Sequence, residues 1–254
     1  MPIDRRRFLE IASSTIATSG ILTSAATAAD AKPVIKAIAF DGFPIFDPRP
    51  IFAMAEEFFP GRGTELSNVW RIRQFEYTWL RTTAQKYRDF LGVIDDALVF
   101  ASKSLGLEMS DEKRKALVDG YLNMKAWPDV APALSKLREN GIRLAFLNNF
   151  TPAMLDANIR NAGLTDFFEH RLSTDAVGVY KPHPKAYQMG IDAFRLNREE
   201  ILFAAFAGWD AAGAKLFGYP TFWVNRQKQP PEQLGVLADG EGSGMSDLLR
   251  FLSY

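Results

Sequence analysis

Val34-Ile35-Lys36-Ala37-Ile38-Ala39-Phe40-Asp41-Gly42-Phe43-Pro44 is the stretch whose reading decides the fold. Its apolar half is rich in β-branched and aromatic residues and is bounded by Gly42 and Pro44, the pattern of a buried strand. Asp41 then stands at the strand's carboxyl end, where open α/β sheets place their chemistry. A carboxylate there is costly to bury unless it is paired or hydrogen-bonded. Asp also opens loops and caps helices, so the role of Asp41 depends on what the rest of the chain brings to it.

Downstream the chain has two textures. Residues 48–127 read as helical, with no strand among them. Residues 65–86 set Leu66, Val69, Trp70, Tyr77, Leu80 and Ala84 near helical spacing. Helices over 90–105 and 111–124 follow, the second opened by a Ser110 cap. From Asp129 onward helices and strands alternate. Helices are expected over 132–140, 152–162, 184–194 and 210–217, and strands over 142–147, 167–173, 201–206 and 221–224. Such alternation predicts an α/β fold, a Rossmann-like parallel sheet with helices on both faces. Residues 32–47 and 128–254 form this core, and residues 48–127 form a helical cap inserted into its first crossover.

Parallel strands share a carboxyl edge, so the polar residues at their ends converge. Strand one ends at Asp41 and strand two at Asn148-Asn149; strand four leads through Gly208 and Trp209 to Asp210. Lys181 lies in the loop Val179-Tyr180-Lys181-Pro182, soon after strand three. Two carboxylates, a lysine and amide donors supply a nucleophile, its charge partner and a general base.

The N-terminus reads differently. Arg5-Arg6-Arg7-Phe8-Leu9 precedes a moderately apolar stretch and small residues ending in Ala26-Thr27-Ala28. This is the pattern of an export signal over residues 1–31 rather than a membrane span, and its paired arginines resemble a twin-arginine signal. A periplasmic location after signal removal is the expectation. Acids and bases balance at 30 each, which favours neither nucleic acid nor a membrane surface. The lack of Cys excludes disulfides and thiol chemistry, and His170 and His183 alone leave no multi-histidine metal site.

The residues then match a known family. Phe58-Phe59-Pro60-Gly61-Arg62-Gly63 and Trp70-Arg71-Ile72-Arg73-Gln74-Phe75-Glu76-Tyr77-Thr78-Trp79-Leu80-Arg81 look like a cap signature of the haloacid dehalogenase superfamily, in its L-2-haloacid dehalogenase branch. The Lys181 loop, Gly208-Trp209-Asp210-Ala211-Ala212-Gly213-Ala214 and the segment from Phe217 to Arg226 resemble its later motifs. The resemblance implies hydrolysis of short (S)-2-haloacids without metal or organic cofactor. Asp41 would attack the halogen-bearing carbon and form an ester, Arg71 would handle the halide, Lys181 would support the ionised nucleophile, and Asp210 would activate water. Asn148, Asn149, Tyr187 and Trp209 would serve the substrate pocket, and a homodimer is implied. Phosphatases of the superfamily carry an acid two residues after the nucleophile. Phe43 stands there instead, opposing phosphoryl transfer and favouring an apolar pocket.

Several family features depart. Asp-x-Tyr-Gly-Thr is here Asp41-Gly42-Phe43-Pro44-Ile45, and Ser-Asn on strand two is Asn148-Asn149, followed by Phe150. The polar Ser and Asn that help organise the second acid become Ala205 and Ala207. Losing two such partners, with nothing in their place, would cost several kcal/mol of transition-state stabilisation. A slow or substrate-shifted dehalogenase, with a long-lived ester, is the expectation; another hydrolase of the superfamily, such as a phosphatase, and an exported carboxylate-binding protein on a decayed catalytic fold are the alternatives.

Overall fold

The computed structural model describes residues 34–254, so the export-signal reading of residues 1–31 falls outside the described residues. Strand β1 (Ala37–Phe40) is wholly buried and pairs in parallel with β4 (Arg143–Asn148) on one side and β6 (Ile201–Ala205) on the other. The sheet continues outward through β5 (His170–Ser173) at one edge, and through β7 (Thr221–Val224) and β8 (Gly240–Gly242) at the other. Its order is β5-β4-β1-β6-β7-β8, every pair parallel.

Two-residue periodicity sorts the central strands into two cores. Ile38, Phe40, Leu144, Phe146, Leu202 and Ala204 join one hydrophobic cluster, while Ala37, Ala39, Ala145, Leu147, Phe203 and Ala205 join another. Helices α5 (Val130–Glu139), α6 (Pro152–Asn161) and α9 (Met245–Phe251) contribute to the first. Helices α7 (Pro184–Phe194) and α8 (Gly208–Phe217) contribute to the second. A sheet buried on both faces explains why its strands read as near-continuous apolar runs.

Between β1 and α5 lie four helices: α1 (Arg49–Phe58), α2 (Gly63–Thr83), α3 (Phe90–Ser104) and α4 (Asp111–Gly120). Asp89 and Ser110 cap α3 and α4, accepting from the Gly92 and Lys113 amides at 2.8 and 3.3 Å. The chain leaves the sheet and returns to it through β2 (Phe46–Asp47) and β3 (Lys125–Ala126), a short antiparallel pair. Strand β3 corrects the strandless reading of residues 48–127; two residues are too few to show a period. Strand β8 and helix α9 also lie beyond the sequence expectations.

The buried stripe of α2 also differs from its apolar pattern. Leu66, Ser67, Trp70, Gln74 and Thr78 are buried, whereas Leu80 is 61% exposed and Ala84 lies beyond the helix end in the open. The packed ridge therefore includes polar side chains. Gln74 can occupy it because its Nε2 donates to the Tyr121 hydroxyl at 3.0 Å, and Thr78 because its Oγ1 donates to the Phe75 carbonyl at 2.7 Å.

Candidate active site

The strand order reverses its direction of growth at β1, so the crevice of an open parallel sheet falls at the carboxyl ends of β1, β4 and β6. Asp41 follows β1 there, its backbone N–H still tied to the Ala204 carbonyl of β6 at 3.0 Å. Its Oδ2 accepts from the Phe43 amide at 3.2 Å. The side chain is 13% exposed.

Lys181 is the centre of the cluster. Its side chain is fully buried, and Nζ donates to Asp41 Oδ1 at 2.8 Å and to Asp210 Oδ2 at 2.6 Å. The Phe203 ring centroid is 5.0 Å from the ammonium, a further favourable contact. The loop carrying Lys181 is fixed by its neighbours. Lys181 N–H donates to Asn149 Oδ1 at 3.1 Å, Tyr180 N–H to Thr82 Oγ1 at 3.0 Å, and the Tyr180 hydroxyl to the Arg88 carbonyl at 2.5 Å. Burial pulls the lysine pKa down, but attraction to Asp210 and Asp41 outweighs it, leaving the pKa above the usual lysine value. The group stays an ammonium.

Asp210 lies in the first turn of α8, and its side chain is 2% exposed. Oδ1 accepts from the Tyr187 hydroxyl at 2.7 Å, while Lys181 takes Oδ2. Burial raises its pKa; Lys181 opposes this and the Asp41 charge adds to it, for a value of about 6. Burial likewise holds the Tyr187 phenol well above its ordinary value, so it remains a donor to Asp210. Gly213, one turn beyond Asp210, allows this approach. A Cβ there would lie 2.7 Å from both Pro182 Cβ and the Tyr187 hydroxyl.

Asp41 and Asp210 open onto a cavity of about 480 Å³. Phe43, Phe52, Phe75, Phe206, Trp209 and Trp223 make much of its wall. Phe43 meets Phe150 edge-on at 5.1 Å and lies 5.7 Å from Phe206, while Trp209 packs against Phe75 and Trp79. Arg71 reaches the cavity from α2, donating to Gln227 Oε1 at 3.2 Å. Among the described residues it makes no salt bridge, so its charge is not spent on a carboxylate.

The structure thus brings Asp41, Arg71, Lys181, Asp210, Phe43, Asn149 and Trp209 to one place, and it relocates two others. Asn148 does not line the cavity; it is fully buried at the end of β4 and its Oδ1 turns back to the Phe150 amide at 2.6 Å. Tyr187 does not line it either, lying fully buried behind Asp210. The inward-facing phase of α7 carries it against β4 and α8, away from the opening. Gln74 and Tyr121 from the helical insertion, and the segment from Asn225 to Gln233 after β7, complete the lining; Gln74 and Asn225 fall in the family-like motifs, but none of these is among the site residues the sequence points to.

Ile45 is fully buried within the first core, Ala205 is fully buried in β6, and Ala207 lines the cavity at the start of α8. None offers a polar side chain. Asp210 is nevertheless held at both oxygens by Lys181 and Tyr187. Among the described residues, no group of three or more acidic or histidine side chains could hold a metal ion.

A parallel sheet that gathers two carboxylates around one buried lysine, roofed by helices inserted after the first strand, defines a class of α/β hydrolases. The model of haloacid dehalogenase-like hydrolases matches residues 12–218. The chain is 42% identical over 208 residues to an (S)-2-haloacid dehalogenase from Pseudomonas sp. strain YL, covering 82% of this chain and 90% of that protein. Its fold matches a crystal structure of an L-2-haloacid dehalogenase with a TM-score of 0.85 and 40% identity, over 87% of this chain and all of that one. A structure of the Xanthobacter autotrophicus L-2-haloacid dehalogenase with chloropropionic acid covalently bound matches with a TM-score of 0.79 and 32% identity, over 86% and 98% of the two chains. The chain belongs to the haloacid dehalogenase-like hydrolases, in the branch of the (S)-2-haloacid dehalogenases.

Proposed function

We propose that the protein hydrolyses (S)-2-haloacids to 2-hydroxy acids through an ester on Asp41. The observation that carries this reading is the Lys181 ammonium, 2.8 Å from Asp41 and 2.6 Å from Asp210, behind an aromatic cavity that Arg71 also reaches. Asp41 lies on the cavity and has one oxygen engaged by Lys181. Its carboxylate attacks C2 of the acid as the carbon–halogen bond breaks, and the halide leaves towards Arg71, whose fixed charge and N–H donors suit an anion. Inversion at C2 follows from displacement on the face opposite the halogen.

Water then adds to the ester carbonyl carbon of Asp41. Asp210 takes the proton, the bond between that carbon and the substrate oxygen breaks, and the hydroxy acid leaves with a proton returned to its oxygen. One half-reaction thus uses Asp41 as a covalent nucleophile, and the other uses Asp210 as a base. The Asn149 amide nitrogen makes no hydrogen bond among the described residues and is a donor for the substrate carboxylate. With Ala205 and Ala207 in place of polar groups, ester hydrolysis is the slower half.

The proposal extends to the setting. The basic, apolar and small-residue succession at the N-terminus supports export, and exposed Ile72, Trp79 and Leu80 on α2 support a homodimer contact. Halide release from the two enantiomers of 2-chloropropionate, beside an Asp41→Asn control and a phosphomonoester, tests the activity. Release from the (S) enantiomer that is lost with Asp41→Asn is expected. Failure with both enantiomers, or turnover of the phosphomonoester alone, would reject it.

A further inference from the structure

A second cavity, of about 370 Å³, adjoins the aromatic one, and Pro48, Phe52, Arg71, Phe206 and Gln227 line both. The two differ in charge. The aromatic cavity carries Asp41, Asp210 and Glu232, whereas the second is lined by Arg49, Arg71 and Arg226 with no acidic side chain. Asp47 holds Arg49 and Asp129 holds Arg226 from outside the lining. Arg71, at the junction, is the arginine of the three without a carboxylate among the described residues.

The wall of this second cavity is built rather than incidental. The Arg49 and Arg226 guanidinium carbons lie 4.4 and 4.5 Å from the centroid of the Trp127 ring. Trp127 Nε1 donates to the Phe43 carbonyl at 3.0 Å, tying the wall to the Asp41 loop. Two lining residues carry buried polar atoms without a partner: Ser67 Oγ, in a residue 6% exposed, and Arg226 Nε, in a side chain 10% exposed. Orphaned buried donors are rare in native structures and call for an explanation such as an ion or water. Both can donate, and Arg71 is the guanidinium of the three without a carboxylate among the described residues, which fits an anion.

We propose that this second cavity is an anion-binding vestibule, which receives the halide from Arg71 and releases it apart from the entry path of the acid. Once Asp41 is esterified, the first cavity keeps Asp210 with Lys181 beside it and Glu232, whereas the second continues from Arg71 to Arg49 and Arg226, so an anion leaving Arg71 finds its next guanidinium groups on the second side. The identity of the anion as a leaving halide rests on the dehalogenase reading; anion binding itself does not.

The test uses the resting full-length protein and sodium iodide, at ionic strength held constant with sodium fluoride. Iodide quenches tryptophan fluorescence on contact, and Trp127 reports from the vestibule wall. Saturable quenching that disappears in Trp127→Phe is expected. Asn68→Asp adds a carboxylate to the lining at an exposed position of α2, and Ser67→Ala removes an orphaned hydroxyl; each should weaken iodide at least about threefold. Quenching linear in iodide, quenching unaltered by Trp127→Phe, or equal affinity in wild type and both lining variants would overturn the vestibule. Because no turnover is involved, a protein that binds iodide this way but releases no halide from any 2-haloacid would fail the functional reading alone.

Discussion

Lys181 does two jobs that pull in opposite directions. It donates to Asp41, the proposed nucleophile, at 2.8 Å, and it also lies 2.6 Å from the carboxylate proposed to act as base. A base paired to an ammonium would be weak in water. Here burial raises the Asp210 pKa to about 6 in spite of the lysine, keeping it basic enough to take a proton while ionised near neutrality. The sign is specific. Asp41 carries no charge in the ester, so one of the causes that raises the Asp210 pKa is gone there and Asp210 gains its proton below about pH 6, where ester hydrolysis fails, while displacement at Asp41 does not require Asp210 as a base. Rapid-quench kinetics should therefore show the hydrolysis rate constant falling about tenfold per pH unit below that point, with ester accumulating. Asp210→Asn should give stoichiometric halide release with arrested turnover at every pH. Replacing Lys181 by Met leaves two carboxylates without their cation, at a cost to folding of roughly 3–5 kcal/mol; a fall in chemical-denaturation midpoint together with loss of activity checks it.

At the level of elements, the site was legible where geometry follows from a single rule. Parallel strands share a carboxyl edge, so the sequence itself gathers Asp41, Asn149 and Asp210. The family resemblance puts Tyr187 in the pocket, but the phase of α7 decides which face it presents, and that phase sets it behind Asp210 instead. Asn148 sits at the right strand end, yet local bonding turns its oxygen back to the Phe150 amide. Gln74 was hidden because its buried ridge on α2 is partly polar, and the apolar pattern pointed to Leu80. Gln227 meets Arg71 across 156 residues of sequence, a contact no local signal carries. Helix α8 offers an element-scale prediction. It begins at Ala207 with no side-chain cap, on the wall of the cavity. Ala207→Asn should supply an N-cap and add about 1 kcal/mol of stability, seen as a higher Tm. The same amide beside Asp210 should shorten the life of the ester in single-turnover experiments.

For the whole molecule, one hydrophobic cluster runs from the sheet into the helical insertion, joining Ile38 and Phe146 to Trp70, Phe90 and Leu98. The helical insertion therefore does more than cover the site. It supplies Arg71, Gln74, Phe75 and Tyr121 to the cavity, and the end of α2 and the loop after it hold the Lys181 loop through Thr82 and Arg88. The sheet sets the carboxylates while the insertion sets the arginine and much of the apolar wall. Substrate selectivity and halide handling should then follow changes in the insertion, with displacement itself following changes at the strand ends. The export reading belongs to this scale as well. Expression in a host with and without a functional twin-arginine pathway should yield a periplasmic product beginning near Ala29 only in the former, as N-terminal sequencing would show. A cytoplasmic product with an intact N-terminus in both would refute it.

The most direct measurement is peptide mass mapping of the enzyme quenched within one turnover of (S)-2-chloropropionate. The expected result is one substrate-derived 1-carboxyethyl group, bound through C2 to an Asp41 carboxylate oxygen, on the peptide containing Asp41, appearing with the first equivalent of chloride and decaying as lactate forms. Chloride release with no adduct on Asp41 at any quench time, and undiminished activity in Asp41→Asn, would contradict the account.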